Sequence, residues 1–255
     1  MTNGEILETA MRQSAIDANC HTDDFKKNDH VIVSSAKHPG ARKYLQLPFA
    51  CSLISYGTNI VASIDMQYRD IVDRYIHKYP VEHCFETPHM HVLNKEFEKY
   101  DMQVCRMAEY FLPDIDKIPV ITCEYELRIL NQEDFKDLYM PQWSNALCKE
   151  RKELDILGVG AYKAGRLIGL AGCSADCDGM WQIGVDVLPE ERRKGIASAL
   201  TSRLAAETLD RGRIPFYCCA WSNIKSARNA IKSGFRPAWA EMTVQSKYSV
   251  EKMNQ

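Results

Sequence analysis

The sequence predicts an α+β protein in which a smaller α+β domain (residues 1–118) precedes a larger one (residues 119–255). Three observations lead to this prediction. A strand, a glycine and a helix follow one another between residues 181 and 206, two apolar runs joined at Ala164-Gly165 have the pattern of a β-hairpin, and the segment Pro113–Pro119 divides the chain. That segment holds two prolines and three charged residues, a composition typical of a linker or a domain boundary.

The first domain shows both helical and strand patterns. Its helices are expected where apolar residues recur every three to four positions, and its strands where short apolar runs are bounded by turn residues. In order, we expect a helix over Glu5–Asp17, a strand at Val31–Ser34, a helix at Ala41–Leu45, a hairpin from Phe49–Tyr56 and Ile60–Ile64, a helix over Met66–Tyr79, an irregular stretch at His83–Asn94 and a strand at Asp101–Tyr110. No motif in this domain indicates a chemistry.

The second domain opens with a strand at Cys123–Ile129. Asn131, followed by Gln132 and Glu133, then has the character of a residue that caps the start of a helix. A second helical piece is expected at Trp143–Glu150. The hairpin follows, with strands at Leu157–Lys163 and Leu167–Ser174.

A strand at Trp181–Leu188 ends at Pro189, and the charged loop Glu190–Lys194 leads to Gly195 and a helix over Ile196–Ala206. A glycine between a strand and a helix lets backbone N–H groups turn toward one point with no side chain in the way. The helix dipole adds partial positive charge there. The junction is therefore predicted to bind a phosphate group.

The chain continues with another strand and helix. The apolar run Ile214–Trp221 predicts a strand, Ser222-Asn223 precedes a helix that runs through Lys232, and Ser233-Gly234-Phe235 turns the chain into a further strand. Ser222 and Asn223 are both residues that commonly cap a helix.

Composition and charge narrow the class of partner. A net charge of −2 gives no electrostatic basis for binding nucleic acid. No apolar run approaches the roughly 18 residues of a membrane span, and the N-terminus lacks the order of a secretion signal, so a cytoplasmic protein is expected. The ten cysteines are scattered through predicted strands without metal-ligand spacing, so we expect reduced thiols and no metal site. The sequence carries no signal of an oligomeric state.

Four of these features occur in one characteristic order. The residues Arg192–Ala197 fit the pattern arginine or glutamine, two residues, glycine, one residue, glycine or alanine. With the hairpin, the second strand and the Gly-Phe turn, they resemble the GNAT (Gcn5-related N-acetyltransferase) family over about residues 121–255. The layout is similar to a bacterial subgroup with an extra N-terminal domain. The resemblance implies a mixed, mostly antiparallel sheet with splayed central strands and flanking helices.

The resemblance also implies acetyl-CoA as co-substrate, bound where the two central strands separate. The residues expected to contact it fall into three groups. The strand edge at Asp186, Val187 and Leu188 would bind the pantetheine arm, the loop and first helical turn at Arg192, Arg193, Lys194, Gly195, Ile196, Ala197 and Ser198 would bind the pyrophosphate, and Asn223 and Ser226 would reach the pantetheine. For Asn223 the alternative role is to cap the start of the following helix, which Ser222 could also do.

The sequence indicates the general acid and the general base of such a reaction less clearly than the cofactor site. Many family members carry a tyrosine where this chain has Ala230, so the usual proton donor to the leaving thiolate is replaced. Asp178 is the expected base, with Asp176 and Glu241 as alternatives. All seven histidines lie in the first domain, which leads to a separate hypothesis that His89 or His91 lines the acceptor pocket.

Two function classes follow. The first is an acetyl-CoA-dependent N-acetyltransferase acting by direct transfer on the amine of a small molecule. The second is a non-catalytic module that binds acyl-CoA as a sensor or partner, for which Ala230 is the sequence sign. A nucleotide-binding role has little support because neither a P-loop motif nor a G-x-G-x-x-G motif is present.

Overall fold

A computed structural model describes all 255 residues, which form two compact units. The core unit comprises Met1–Leu7 and Phe111–Pro237, and the second unit comprises Glu8–Tyr110 and Ala238–Gln255. The strands are β1 (Val31–Ser34), β2 (Cys51–Ser55), β3 (Val61–Ile64), β4 (Met102–Pro113), β5 (Glu126–Asn131), β6 (Asp155–Lys163), β7 (Arg166–Ser174), β8 (Met180–Val187), β9 (Ile214–Ala220) and β10 (Phe235–Ser246). The α-helices are α1 (Asn3–Ala18), α2 (Arg69–Ile76), α3 (Thr87–Phe97), α4 (Ile196–Asp210), α5 (Ile224–Lys232) and α6 (Lys247–Met253).

The core unit is built on a mixed sheet with the strand order β9-β8-β7-β6-β5. Its strands pair antiparallel from β5 to β8, while β8 and β9 pair parallel. The hairpin between β6 and β7 turns at Ala164 and Gly165, both with positive φ. A turn in which both central residues have positive φ suits the right-handed twist of the flanking strands. The predicted mixed, mostly antiparallel sheet is confirmed.

Helix α4 covers one face of this sheet. A Cβ atom placed on Gly169 would lie 2.8 Å from a methyl carbon of Ile196, so the helix packs directly on β7. Farther along the same face, the Sγ of Cys173 lies 3.3 Å from the hydroxyl of Thr208 in α4. Because side chains alternate along a strand, residues 169, 171 and 173 share this face and residues 170, 172 and 174 share the other.

The second unit has the strand order β1-β3-β2-β10-β4. Its core contains a buried ion cluster in which the Arg42 guanidinium donates hydrogen bonds to Asp17 and to Glu241. The Nε1 of Trp239 donates a further bond of 2.9 Å to Glu241. All four residues are buried, and buried charges persist only when they are paired and hydrogen-bonded.

Most predicted elements are confirmed, with ends shifted by a few residues. Two predictions in the second unit were wrong. Ala41–Leu45 is a turn instead of a helix, because the N–H of Arg42 donates to the Asp17 carboxylate and its side chain enters the ion cluster. The stretch His83–Asn94 is largely helical, since α3 begins at Thr87 with Pro88 in its first turn, a position that suits proline.

Two predictions in the core unit need correction. The first strand of its sheet begins at Glu126 instead of Cys123. The helical piece predicted at Trp143–Glu150 is two short 3₁₀ turns, Pro141–Trp143 and Lys149–Leu154, with a non-helical segment between them. None of the helices is both long enough and apolar enough to cross a membrane.

Candidate active site

The central strands separate part-way along their length. The parallel pairing of β8 with β9 runs from Met180 opposite Ile214 to Ile183 opposite Tyr217. Beyond that point β8 continues to Val187 and β9 to Ala220, while β8 stays paired with β7 as far as Val187. The last part of β8 therefore has an open edge on the side of β9.

Two hydrogen bonds show which amides face this open edge. The N–H of Leu188 donates to the carbonyl of Ile168 at 3.0 Å, so Leu188 faces β7. The carbonyl of Val187 accepts a bond of 3.0 Å from the Nε of Arg192, so Val187 faces away from β7. Because backbone groups alternate in direction along a strand, the amides of Val185 and Val187 lie on the open edge. Of the three predicted amides, only that of Val187 lies on the open edge, whereas those of Asp186 and Leu188 face β7, and the prediction did not include Val185. Contact of these residues with a cofactor stays a prediction.

The open edge leads into a loop with two left-handed residues. Arg193 has φ +65° and Gly195 has φ +79°, and Gly195 is the residue that precedes α4. No side chain caps this helix start, and a Cβ at Gly195 would meet nothing within 4 Å. The first amides of a helix have no partner within the helix, so those of Ile196, Ala197 and Ser198 are available to an anion.

The charged side chains of the loop differ in their partners. Lys194 pairs with Glu191 at 2.5 Å, and Lys163 from the hairpin pairs with the same carboxylate at 3.0 Å. Hydrogen bonds from Lys194 and Lys163 lower the pKa of Glu191 to about 2. Arg193 is exposed, and Arg192 is bound to the Val187 carbonyl. Glu191 is therefore tied to one lysine of the loop and one of the hairpin, and the loop also carries two arginines with no carboxylate partner among the ion pairs of the structure.

A chain of polar groups links α4, α5 and β9 beside the separation point. The Oδ1 of Asn223 accepts the N–H of Ser226 at 3.2 Å, so Asn223 caps α5. The hydroxyl of Ser226 lies 2.8 Å from that of Tyr217, the last residue of β9 that pairs with β8. On α4, Ser198 donates to the Oδ1 of Asn229 at 3.1 Å. The sequence did not indicate Tyr217 or Asn229, because their partners come from other elements.

On the face opposite α4, a segment made mostly of turns crosses the strands. We call residues Ser144–Cys148 the crossing segment. The Oδ2 of Asp186 accepts the N–H groups of Asn145 (2.8 Å) and Ala146 (3.0 Å), and its Oδ1 accepts the Asn145 side-chain amide at 2.6 Å. The other end is held by Asp155, whose carboxylate accepts the N–H of Cys148 at 2.8 Å. Asp186 and Asp155 thus hold the two ends of the segment, while the N–H of Leu147 between them donates to the carbonyl of Trp143 at 2.9 Å.

Two glycines let the crossing segment lie directly on the sheet. A Cβ on Gly184 would be 1.7 Å from the carbonyl oxygen of Asn145, and one on Gly172 would be 2.1 Å from that of Ala146. No side chain fits at either position without displacing the segment. The glycines at positions 172 and 184 are therefore explained by this close backbone approach.

Comparison with known sequences decides the family. A sequence model of the GNAT acetyltransferase family matches residues 66–239, more than half of the chain. The chain belongs to the GNAT acetyltransferase family. The matched range begins before the predicted domain boundary at residue 118, so the division into domains 1–118 and 119–255 stays a prediction. No curated protein matches the sequence.

Several solved GNAT structures are similar to the chain at low identity. One is a putative acetyltransferase of the GNAT family from Novosphingobium aromaticivorans, which is 21% identical, with 56% of this chain and 66% of that one covered and a TM-score of 0.45. A GCN5-related N-acetyltransferase-like protein from Streptococcus suis is 16% identical, with 60% of this chain and 68% of that one covered and a TM-score of 0.44. A GCN5-related N-acetyltransferase from Kribbella flavida is 14% identical, with 60% of this chain and 62% of that one covered and a TM-score of 0.46. The chain spans 62–68% of the length of these proteins.

The acids predicted as bases in this GNAT chain have distinct surroundings. Asp178 is exposed in the turn before β8. Asp176 is buried and paired with Arg151. Glu241 is held by Arg42 and Trp239 in the second unit. The sequence missed Asp155, which is buried, and burial raises its pKa to about 6.

The remaining predicted positions are also located. Ala230, at the position of the family's tyrosine, is fully buried in α5. His89 and His91 lie on α3 of the second unit, where His89 stacks on His83 with ring centroids 5.2 Å apart. Among all described residues, no group of three or more histidines, cysteines or acids could hold a metal ion.

Proposed function

We propose that this GNAT chain transfers an acetyl group from acetyl-CoA to the amine of a small molecule by direct attack. One observation carries the proposal. The open edge of β8 at Val185 and Val187 runs straight into the left-handed loop at Arg193–Gly195 and the uncapped start of α4. An extended amide-bearing arm and a pyrophosphate are joined in this order in CoA, and the chain offers a matching site for each part.

In this arrangement the pantetheine amides pair with Val185 and Val187 as an added strand. The pyrophosphate accepts N–H groups from Ile196, Ala197 and Ser198, with Arg193 near enough in sequence to add positive charge. The thioester then lies where β8 and β9 separate. The neutral acceptor nitrogen attacks the thioester carbon, and a strand N–H stabilises the oxyanion. The carbon–sulfur bond then breaks to release the CoA thiolate, and the nitrogen loses a proton to water to give the amide.

A second candidate function is supported by Ala230, which places a buried methyl group where the family has a hydroxyl. In that case the chain binds acyl-CoA without turning it over. A thiolate is a good leaving group that takes a proton from water, so the missing hydroxyl does not exclude transfer. We therefore place catalysis first.

Thermal unfolding with and without acetyl-CoA tests the cofactor site, because a ligand that binds only the folded state raises its stability. Gly195→Glu places a negative charge at the proposed pyrophosphate site. Gly165→Glu is the matched control, since Gly165 has φ +80° and, like Gly195, open space around its Cβ position. We expect acetyl-CoA to stabilise the wild type and Gly165→Glu but not Gly195→Glu. An absence of stabilisation in the wild type would remove both candidate functions.

A panel of small amines, assayed by release of free CoA thiol, then separates the two candidates. Amine-dependent thiol release that Gly195→Glu abolishes supports transfer. Binding of acetyl-CoA with no amine-dependent release supports the acyl-CoA-binding alternative.

A further inference from the structure

The two faces of the open part of β8 are not equivalent. Helix α4 closes the face of Gly169 and Cys173, as its contacts with those positions show. Asp186 lies on the other face, where its carboxylate binds the crossing segment. An acceptor that approaches a thioester bound at Val185 and Val187 must therefore come from the face of Asp186.

Asp186 is a carboxylate without a cationic partner. Its three donors, the N–H groups of Asn145 and Ala146 and the side-chain amide of Asn145, are all neutral. No lysine, arginine or histidine forms an ion pair with it, although several other acids of the core unit, such as Glu191 and Asp176, have one. Its negative charge is therefore uncompensated beside the open edge.

The carboxylate also has room for one more donor. An ionised carboxylate has about four acceptor positions, and the three bonds leave about one of them open. Oδ2 accepts both backbone amides, whereas Oδ1 accepts only the side chain of Asn145. The open position is on Oδ1. Asp186 as a whole is half-buried, whereas the bond between Oδ1 and the exposed Asn145 side chain lies at the surface, so this oxygen is on the accessible side of the carboxylate. A charged donor forms a stronger hydrogen bond with an ionised carboxylate than a neutral donor does.

Building on the proposed function, we propose that Oδ1 of Asp186, held in place by Asn145, binds the ammonium group of the acceptor and so selects amines that are cationic at neutral pH. Asp186 is one residue from each of Val185 and Val187, about 3.3 Å along the strand from each, so the bound nitrogen lies next to the thioester. The ammonium first loses one proton to water, and its lone pair then forms the bond to the thioester carbon. The carbon–sulfur bond breaks, the nitrogen loses its second proton to water, and the CoA thiolate takes up one proton from water, so that the reaction releases one proton overall.

The test compares two amines of similar size, benzylamine, which is protonated at pH 7, and aniline, which is neutral. KM is measured for each at saturating acetyl-CoA by thiol release. In Asp186→Asn we expect KM to rise roughly tenfold for benzylamine, equivalent to about 1.4 kcal/mol, and to stay within about twofold for aniline. A purely structural role for Asp186 predicts an equal rise for both amines, and that result would overturn the proposal, as would no change for either.

A double variant keeps the test valid if Asp186→Asn loosens the crossing segment. In Asp186→Asn with Asn145→Asp, the amide at 186 donates to the new carboxylate at 145 and still accepts the backbone amides, so the hydrogen bonds and the charge are kept. We expect the double variant to recover the preference for benzylamine. Failure to recover it while aniline is acetylated normally contradicts the proposal.

Failure of the proposed acetyl transfer would give a different set of results from failure of the ammonium site. Acetyl-CoA would then fail to stabilise the wild type, or no amine would release thiol from it, whereas failure of the ammonium site leaves cofactor binding and thiol release intact.

Discussion

The Nε of Arg192 donates a hydrogen bond of 3.0 Å to the carbonyl of Val187, which ties the loop before α4 back to the open edge of β8. This bond satisfies a strand carbonyl that has no partner on the side of β9. It also holds a positive charge between the two halves of the proposed CoA site.

Arg192→Ala is therefore expected to weaken acetyl-CoA binding by about three- to tenfold, the loss of one charge-assisted hydrogen bond and its positioning effect. Arg166→Ala is the control, because Arg166 is an exposed arginine of the same region that pairs only with exposed Glu190. Isothermal titration calorimetry measures both affinities. Equal affinities for the two variants would contradict the role given to Arg192.

The pairing of Glu191 with two lysines predicts a pH dependence of stability. Lys194 and Lys163 lower the pKa of Glu191 from 4.5 to about 2, so the folded state favours the ionised acid. The resulting stability is present above pH 4.5 and is lost as the pH falls toward 2. We expect the difference in unfolding free energy between wild type and Glu191→Gln to shrink over that range, measured by urea unfolding at each pH. Glu190→Gln, at an exposed acid, should show a much smaller change, and matching curves for the two variants would count against the prediction.

The contact of Gly184 with the crossing segment makes this glycine irreplaceable by alanine. A Cβ there would lie 1.7 Å from the Asn145 carbonyl oxygen, so Gly184→Ala must displace the segment. We expect a loss of about 2 kcal/mol or more in unfolding free energy, as for other overpacked sites. Gly4→Ala is the control, since its nearest neighbour to a Cβ is 3.8 Å away. Urea unfolding checks both, and a Gly184→Ala protein as stable as Gly4→Ala would show that the segment is not held on the sheet.

Local signals in the sequence predicted the centre of the site well. Pro189 and Gly195 mark the end of β8 and the start of α4, and both act through their own backbone preferences, so α4 was correctly predicted to begin at Ile196. The crossing segment was not predictable in this way. It keeps one helix-type bond, from the N–H of Leu147 to the carbonyl of Trp143, but its position depends on Asp186, a carboxylate some forty positions later in the chain that accepts the N–H groups of Asn145 and Ala146.

The direction in which each backbone amide of β8 points could not be predicted from the sequence either. Alternation in a sequence indicates which side chains share a face, but the same pattern fits either assignment of the backbone amides to the two edges. It takes the bonds from Leu188 to Ile168 and from Arg192 to Val187 to show that Val185 and Val187 face the open edge. The polar link between Tyr217 and Ser226 was missed for a related reason, since it depends on how α5 packs beside β9.

The remaining prediction concerns Asp155, the buried carboxylate at the other end of the crossing segment. Burial raises its pKa from 3.8 to about 6, so ionisation costs the folded state free energy. The contribution of Asp155 to the unfolding free energy is most favourable below pH 3.8 and is lost as the pH rises toward 6. The full pKa shift corresponds to a change of about 3 kcal/mol.

Asp155→Asn removes this titration and keeps an oxygen that can accept the N–H of Cys148. We expect the unfolding free energy of the wild type to fall relative to that of the variant between pH 4 and pH 6, and then to run parallel to it. In the difference between the two unfolding free energies, the titration of all other acids cancels. Asp178→Asn, at an exposed acid, should give a flat difference, and a flat difference for Asp155→Asn as well would show that the crossing segment is held without a cost of ionisation.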